Sequence, residues 1–189
     1  MERLSLGEAN PTSFVFDVPV EEVERGATEA FSRDHQYAEP IFPESKTTAS
    51  GIGFSNTFKM ETRESALFSG QLLKQAGNEH DLYLHNFGDA IWPSPVYRGN
   101  GEGLPYFAAF HLHVTPVGEG KSRVEVKALE TEIVNGERWG IGPCGPGYGW
   151  RSQKVEPTTV EEYTILRYLG KALGKQDMPE VVIPAVTPR

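Results

Sequence analysis

The chain opens with two apolar patterns of different period. Residues 13–18 are rich in Phe and Val, which predicts a strand. Pro19 suits the first turn of a helix, and Glu21 and Glu22 suit the positive end of a helix dipole. The apolar residues after Pro19 recur at helical spacing: Val20, Val23, Ala27, Ala30 and Phe31. A strand followed by an amphipathic helix is therefore predicted.

The pattern of the next part of the chain is less regular. Residues 34–50 contain prolines, serines and threonines and predict a loop, whereas residues 52–60 predict a strand. Residues 64–76 fit a helix, because their apolar residues are four apart, but Gly70 disfavours it. They also fit a pair of strands, which we favour because strict alternation follows in residues 81–87.

The clearest strand pattern covers residues 106–115. Three apolar residues point to one face there, and His111 and His113 point to the other. Gly118 to Gly120 predicts a turn, and residues 122–134 predict a returning strand. An antiparallel meander with one buried face follows from this alternation.

Turn signals divide the second half of the chain further. Asn135-Gly136 is typical of a type I′ hairpin turn, so a third strand is predicted over residues 137–141. The Gly/Pro-rich residues 88–105 and 142–157 are predicted to be long loops.

The end of the chain has a complete helix pattern. Thr158 and Glu161 form a T-x-x-E capping box, and Gly174 is a natural stop, so a helix is predicted over residues 159–173. A Pro-rich tail, residues 175–189, should be extended. Together the elements predict an α+β fold, in which an antiparallel sheet, flat or curved, packs against an N-terminal helix and a C-terminal helix. The length fits a single domain, residues 1–189.

Composition narrows the classes of function. The net charge is −8 and no cluster of Lys and Arg exceeds two adjacent positions, which disfavours nucleic-acid binding. No apolar run is long enough to span a membrane. The first residues lack the basic and apolar regions of a signal peptide, so the cytoplasm is the expected compartment, with a processed exported protein as the alternative.

His111 and His113 are the pair of residues that most strongly suggests a chemical function. Two residues apart on a strand, both imidazoles face one side of a sheet and can bind zinc or another transition metal. His85 on a neighbouring strand, or Glu125 or Lys127 across the sheet, would be their neighbours. A third ligand is not recognisable, so two half-exposed histidines without a cofactor are the favoured interpretation, and a metal site is the alternative.

Other motifs do not predict catalysis. Residues 140–145 match G-x-G-x-x-G, but two prolines interrupt the segment and no helix begins within it, so dinucleotide binding is rejected. Cys144 has no recognisable base near it and is interpreted as an incidental thiol. No catalytic residue is predicted.

Aromatic residues in the two predicted loops are the best candidates for a binding surface. Trp92, Tyr97, Tyr148 and Trp150 would form an aromatic rim if the loops meet at one end of the sheet. Tyr and Trp are enriched at binding surfaces because they combine large area with a polar tip. Rings that fasten long loops to the core are the favoured interpretation, and the binding rim is the alternative.

The segment Phe14-Val15-Phe16-Asp17-Val18-Pro19-Val20-Glu21-Glu22-Val23, with the order of elements after it, resembles START/Bet v1-like helix-grip domains. The resemblance implies an antiparallel sheet curled around a C-terminal helix, with a cavity for an apolar ligand between them. It implies no catalytic residues. The two long predicted loops and the short C-terminal helix depart from that family.

Three functions are therefore considered. The first is a non-enzymatic binding domain, for an apolar small molecule between sheet and helix or for a protein partner at the aromatic loops, as in immunity or adaptor proteins. The second is a metal-dependent enzyme that uses His111 and His113. The third is a structural or assembly domain that docks on a neighbour through residues 175–189.

Overall fold

The protein has the predicted α+β fold. The computed structural model describes residues 1–31, 58–61, 80–86, 92–142 and 145–184, and for parts of the strands the backbone alone. Within these residues an antiparallel sheet, part of it curled into a half-barrel, packs with two helices. The strands are β1 (Glu2–Arg3), β2 (Ser13–Phe16), β3 (Phe58–Glu61), β4 (His80–Asn86), β5 (Trp92–Gly99), β6 (Glu102–Gly118), β7 (Lys121–Gly142) and β8 (Gly145–Lys154). The helices are α1 (Val20–Phe31) and α2 (Val160–Ala172).

Two long strands form the centre of the sheet. β6 and β7 pair with each other, and each carries two further strands along its outer edge. β4 and β5 pair with successive parts of β6, whereas β2 and β8 pair with successive parts of β7. β3 extends the sheet beyond β4, and β1 extends it beyond β5. This arrangement places β4, β6 and β7 side by side, which is where the candidate site lies.

Helix α1 begins as the sequence predicts. The carbonyl of Pro19 accepts hydrogen bonds from the backbone N–H groups of Glu22 (3.1 Å) and Val23 (3.2 Å), which closes the first turn. Its apolar stripe is buried in the core: Val20, Val23, Ala27 and Phe31. The strand before it ends two residues earlier than predicted, at Phe16.

Helix α2 lies where it was predicted, but its start differs from a capping box. The Thr158 hydroxyl accepts the N–H of Val160 at 3.2 Å and donates to the carboxylate of Glu161, so these two residues do pair. The residue at the N-cap position is Thr159, which has φ of 67° and makes no side-chain capping hydrogen bond. Gly174 has φ of 77°, the left-handed conformation that ends a helix at low cost when the residue is glycine. The helix is one residue shorter than predicted at each end.

The inner face of the sheet and both helices share one core. Alternate residues of β6 and β7 supply the sheet side: Phe110, Leu112, Val114, Val124, Val126 and Ala128. Helix α2 supplies Tyr163, Ile165, Leu166 and Leu169, all fully buried. The alternation that predicted the β6–β7 pair is thus confirmed, and it leaves His111 and His113 on the outer face.

The prediction of two long loops is wrong. Most of residues 88–105 lies in β5 and the start of β6, and residues 145–154 of the second loop form β8. Pro95 lies in the interruption of the β5–β6 register between Pro93 and Arg98, where a missing amide donor is tolerated, whereas Pro93 lies directly opposite Pro105. In β8 the glycines pair within the ladder, with Gly147 opposite Gly140 and Gly145 opposite Gly142.

The hairpin predicted at Asn135-Gly136 is also wrong. β7 continues through both residues to Gly142, and the β7–β8 register shifts between Val134 and Glu137. Such a shift marks a β-bulge, which is another position where Asn and Gly are favoured because they adopt unusual backbone conformations. The prediction of a chain reversal at these two residues is therefore wrong.

The described part of the tail, residues 175–184, packs on its own domain. The Tyr163 hydroxyl donates to the carbonyl of Pro179 at 3.0 Å, and Arg167 binds Glu180 through two hydrogen bonds of 2.7 and 2.9 Å. The side-chain amide of Asn10 donates to the carbonyl of Val182 (2.8 Å) and accepts its N–H (2.7 Å). Docking of the tail on a neighbouring molecule stays a prediction.

Several predictions concern residues outside the described ranges. They are the loop at 34–50, the first part of the strand at 52–60, the choice between helix and strand at 64–76, and Cys144. Strand β3 at Phe58–Glu61 and strand β4 at His80–Asn86 agree with the neighbouring predicted strands.

Candidate metal-binding site

Three polar side chains meet on the outer face of adjacent strands β4 and β6. Asp81 of β4 lies directly opposite His113 of β6, and His111 lies two residues from His113 on the same strand. Directly paired residues of antiparallel strands share a face, so all three side chains project together. The site is thus a product of strand register and of period-two alternation.

One carboxylate oxygen connects both imidazoles. Oδ1 of Asp81 is 2.8 Å from Nε2 of His111 and 2.8 Å from Nδ1 of His113. The two rings are tilted by 43° with their centroids 5.8 Å apart. One potential ligand atom from each residue falls within a group in which all atoms lie within 4.8 Å of one another. The cluster is therefore compact enough to close on a single ion.

The site is buried although it lies on the face opposite the helices. Asp81 is only 8% exposed and His111 only 9% exposed, whereas the His113 side chain is 27% exposed. A carboxylate in such a position needs charged or hydrogen-bonding partners, because removing it from water is costly. His113 is the side of the cluster that faces solvent, so a ligand would enter there.

The carboxyl of Asp81 is held in its ionised form. Burial, the largest single influence, would raise its pKa, but hydrogen bonds from His113 and His111 together outweigh burial and lower the pKa below the usual value. Its second oxygen, Oδ2, is buried and has no hydrogen-bond partner within the described residues. A buried anion with an unused acceptor is suited to a cation.

The three residue types match a transition-metal site. Imidazole nitrogen and carboxylate oxygen are common ligands of zinc, at about 2.0–2.2 Å from the ion, and two His with one carboxylate also bind Fe(II). A metal would replace the hydrogen bonds to Asp81 by coordination. The three ligands found among the described residues leave a fourth coordination position for water, substrate or a further ligand, and three protein ligands are typical of catalytic zinc sites.

Charged side chains of β7 border the cluster. Glu125 lies directly opposite His113, and Lys127 lies directly opposite His111, both on the same outer face and both exposed. His85, the neighbour predicted from the sequence, lies on β4 two positions beyond Tyr83, which pairs with His111. Among the described residues, the group that could hold a metal ion consists of Asp81, His111 and His113.

The aromatic residues predicted to form a rim lie on strands. Trp92 and Tyr97 are in β5, and Tyr148 and Trp150 are in β8, where the described structure is backbone alone for all but Tyr97. Tyr97 is buried, its hydroxyl donates to the carbonyl of Glu156 at 2.8 Å, and its ring stacks on Tyr106 at 6.4 Å. For Tyr97 the structure thus shows packing into the core.

A second cluster of buried ionisable side chains includes two residues at the start of α2. Glu161, Glu162 and Tyr106 are all buried. Burial raises the pKa of Glu162, although backbone groups of Glu162, Ala128 and Thr159 hydrogen-bond its carboxyl and oppose the rise. Burial and the charges of Glu161 and Glu162 raise the pKa of Tyr106. This group lies in the core, away from the outer face.

The raised pKa of Glu162 makes stability depend on pH. The folded state keeps the proton at pH values where the unfolded chain has lost it, so stability should fall as pH rises above about 4.5, the ordinary value. Glu162→Gln removes this loss, and its stability relative to wild type should increase from pH 5 to pH 8 in urea unfolding. Glu119→Gln, at the exposed turn, should change stability by less than about 0.5 kcal/mol at either pH. An equal pH dependence of the Glu162→Gln variant and wild type would contradict the prediction.

Asp81 is the residue of the site that sequence reasoning missed. It lies 30 residues before His111 and 32 before His113, so no local spacing connects it to them. Its only sequence signal is an acidic residue at the start of an alternating strand, between His80 and Leu82.

Comparison with known proteins adds no assignment. The chain matched no protein-family model, and searches of curated proteins and of solved structures gave no match. Among the described residues, no helix is both long and apolar enough to cross a membrane.

Proposed function

We propose that this protein is a metal-dependent enzyme whose divalent transition metal is bound by Asp81, His111 and His113. The observation that supports this most is the buried Asp81 carboxylate, which holds both imidazoles through one oxygen and leaves the other without a described partner. Of the three functions considered from the sequence, the metal-dependent enzyme is the one supported by an arrangement of side chains in the described part of the structure.

The three ligands present among the described residues favour catalysis over a purely structural metal. Structural zinc sites are closed by four protein ligands, whereas catalytic sites keep a position for water. Bound zinc lowers the pKa of that water to about 7, which supplies a nucleophile near neutral pH. Metal-assisted hydrolysis is therefore the reaction class that we propose, with His113 on the solvent side of the ion.

Direct metal titration tests the proposal. We expect the metal-free protein to bind one Co²⁺ or Zn²⁺ per chain, and the Co²⁺ complex to show the visible absorption of a site with nitrogen and oxygen ligands. Asp81→Asn removes the anionic ligand and keeps the size of the side chain. Its Kd for Zn²⁺ should rise about 100-fold or more, since one of three ligand bonds is weakened.

A matched variant distinguishes the loss of a metal ligand from the loss of a negative charge elsewhere on the protein. Asp17→Asn removes an exposed carboxylate that pairs with Lys121 at 2.8 Å on a different part of the surface. Its Zn²⁺ affinity should stay within about threefold of wild type. Absence of stoichiometric binding by wild type, or equal losses in the two variants, would refute the metal site.

A further inference from the structure

Among the described strands, Lys127 is the basic residue that lies directly across from the cluster. It lies directly opposite His111 on β7, and cross-strand pairs of this kind have Cβ atoms about 4.5–5.5 Å apart. Its side chain is exposed, and Lys127 forms no ion pair with any residue that the structure describes. A flexible ammonium group of this kind can reach over His111 toward the open side of the site.

The charges of the loaded site favour an anion. A divalent ion with the single carboxylate of Asp81 keeps one positive charge, and the ammonium of Lys127 adds another on the same face. Glu125 offsets one of them from its position opposite His113. The net charge of these four groups is therefore positive, although the whole chain carries −8.

We infer that the site takes a substrate with an oxyanion, a phosphate or a carboxylate, held between the open metal position and the ammonium of Lys127. This inference rests on the proposed metal site. In this arrangement Lys127 binds the substrate, and Asp81, His111 and His113 bind the metal. A charge-assisted hydrogen bond to an oxyanion is among the stronger polar contacts in proteins, so loss of Lys127 should be visible in anion affinity.

Titration of the Co²⁺-loaded protein with inorganic phosphate, and separately with acetate, tests this inference. We expect at least one anion to change the visible Co²⁺ spectrum in a saturable way. Lys127→Gln should raise the Kd of that anion about tenfold or more and leave the Kd of Co²⁺ within about threefold. A response to phosphate alone or to acetate alone identifies which oxyanion the site prefers.

Arg123→Gln is the matched control. Arg123 is exposed on the same face of β7, but it lies opposite Thr115 rather than a histidine, so its loss should change anion affinity less than about threefold. If Co²⁺ binds but neither anion changes its spectrum, or if the two variants lose equal affinity, the oxyanion inference is overturned and the metal site stands. If Co²⁺ does not bind, both are overturned.

Discussion

Zn²⁺ at about 100 times its Kd is expected to raise the free energy of unfolding of wild type by about 2.7 kcal/mol, and the His111→Ala/His113→Ala variant should lose this increase entirely. The reason is linkage, because the three ligands come together only when β4 and β6 are paired in register. Urea unfolding with and without Zn²⁺ measures the increment directly.

The metal-free single variants supply the control for this prediction. His111 is more deeply buried than His113, so His111→Ala should leave Asp81 in a drier site and cost more stability, about 1–3 kcal/mol. His113→Ala should cost less because water can replace its imidazole. A zinc increment that survives in the double variant would show that zinc binds elsewhere, and the assignment to these residues would fail.

Local periodicity predicted the helices and the central strand pair well. The stripe of α1, the capping residues of α2 and the alternation of β6 and β7 are all set by neighbours within a few positions. Burial of one face then fixes which side chains point inward, and that is why the outward position of His111 and His113 followed from the sequence.

The Gly/Pro-rich segments were predicted wrongly because their conformation depends on distant partners. β8 has little strand propensity of its own, but β7 offers a long edge on which it pairs up to Gly142 and Gly145. Ladder hydrogen bonds from that edge override weak local preference. Asn135-Gly136 shows the same effect, since the pairing of the flanking strand turns a hairpin signal into a bulge.

One of the three residues of the candidate site, Asp81, shares this dependence on register. The histidine pair is a local pattern, but Asp81 joins it only because β4 pairs with β6 in one register. A shift of that register by one residue would place Asp81 on the inner face and His80 or Leu82 on the outer face. The carboxylate, which gives the site its charge, therefore depends on the tertiary fold.

The space between sheet and helix bears on the helix-grip resemblance and on the alternative of an apolar ligand. Both would be favoured by unfilled volume beneath α2. In the described core, large side chains of the sheet and of α2 belong to one buried cluster that includes Phe110, Leu112 and Leu166. We therefore expect tight packing there, and an apolar ligand in this space stays a prediction that a single substitution can test.

Leu166→Ala should destabilise the protein by about 2–5 kcal/mol, because Leu166 is 0% exposed and its truncation leaves a cavity. For a chain of this length the melting temperature should fall by roughly 4–20 °C. Ile183→Ala is the control, since Ile183 is 54% exposed and should cost less than about 0.5 kcal/mol. A loss at Leu166 as small as the loss at Ile183 would mean that the space beneath α2 is already loosely filled. It would then contradict the packed core and favour the hypothesis of an apolar ligand beneath α2.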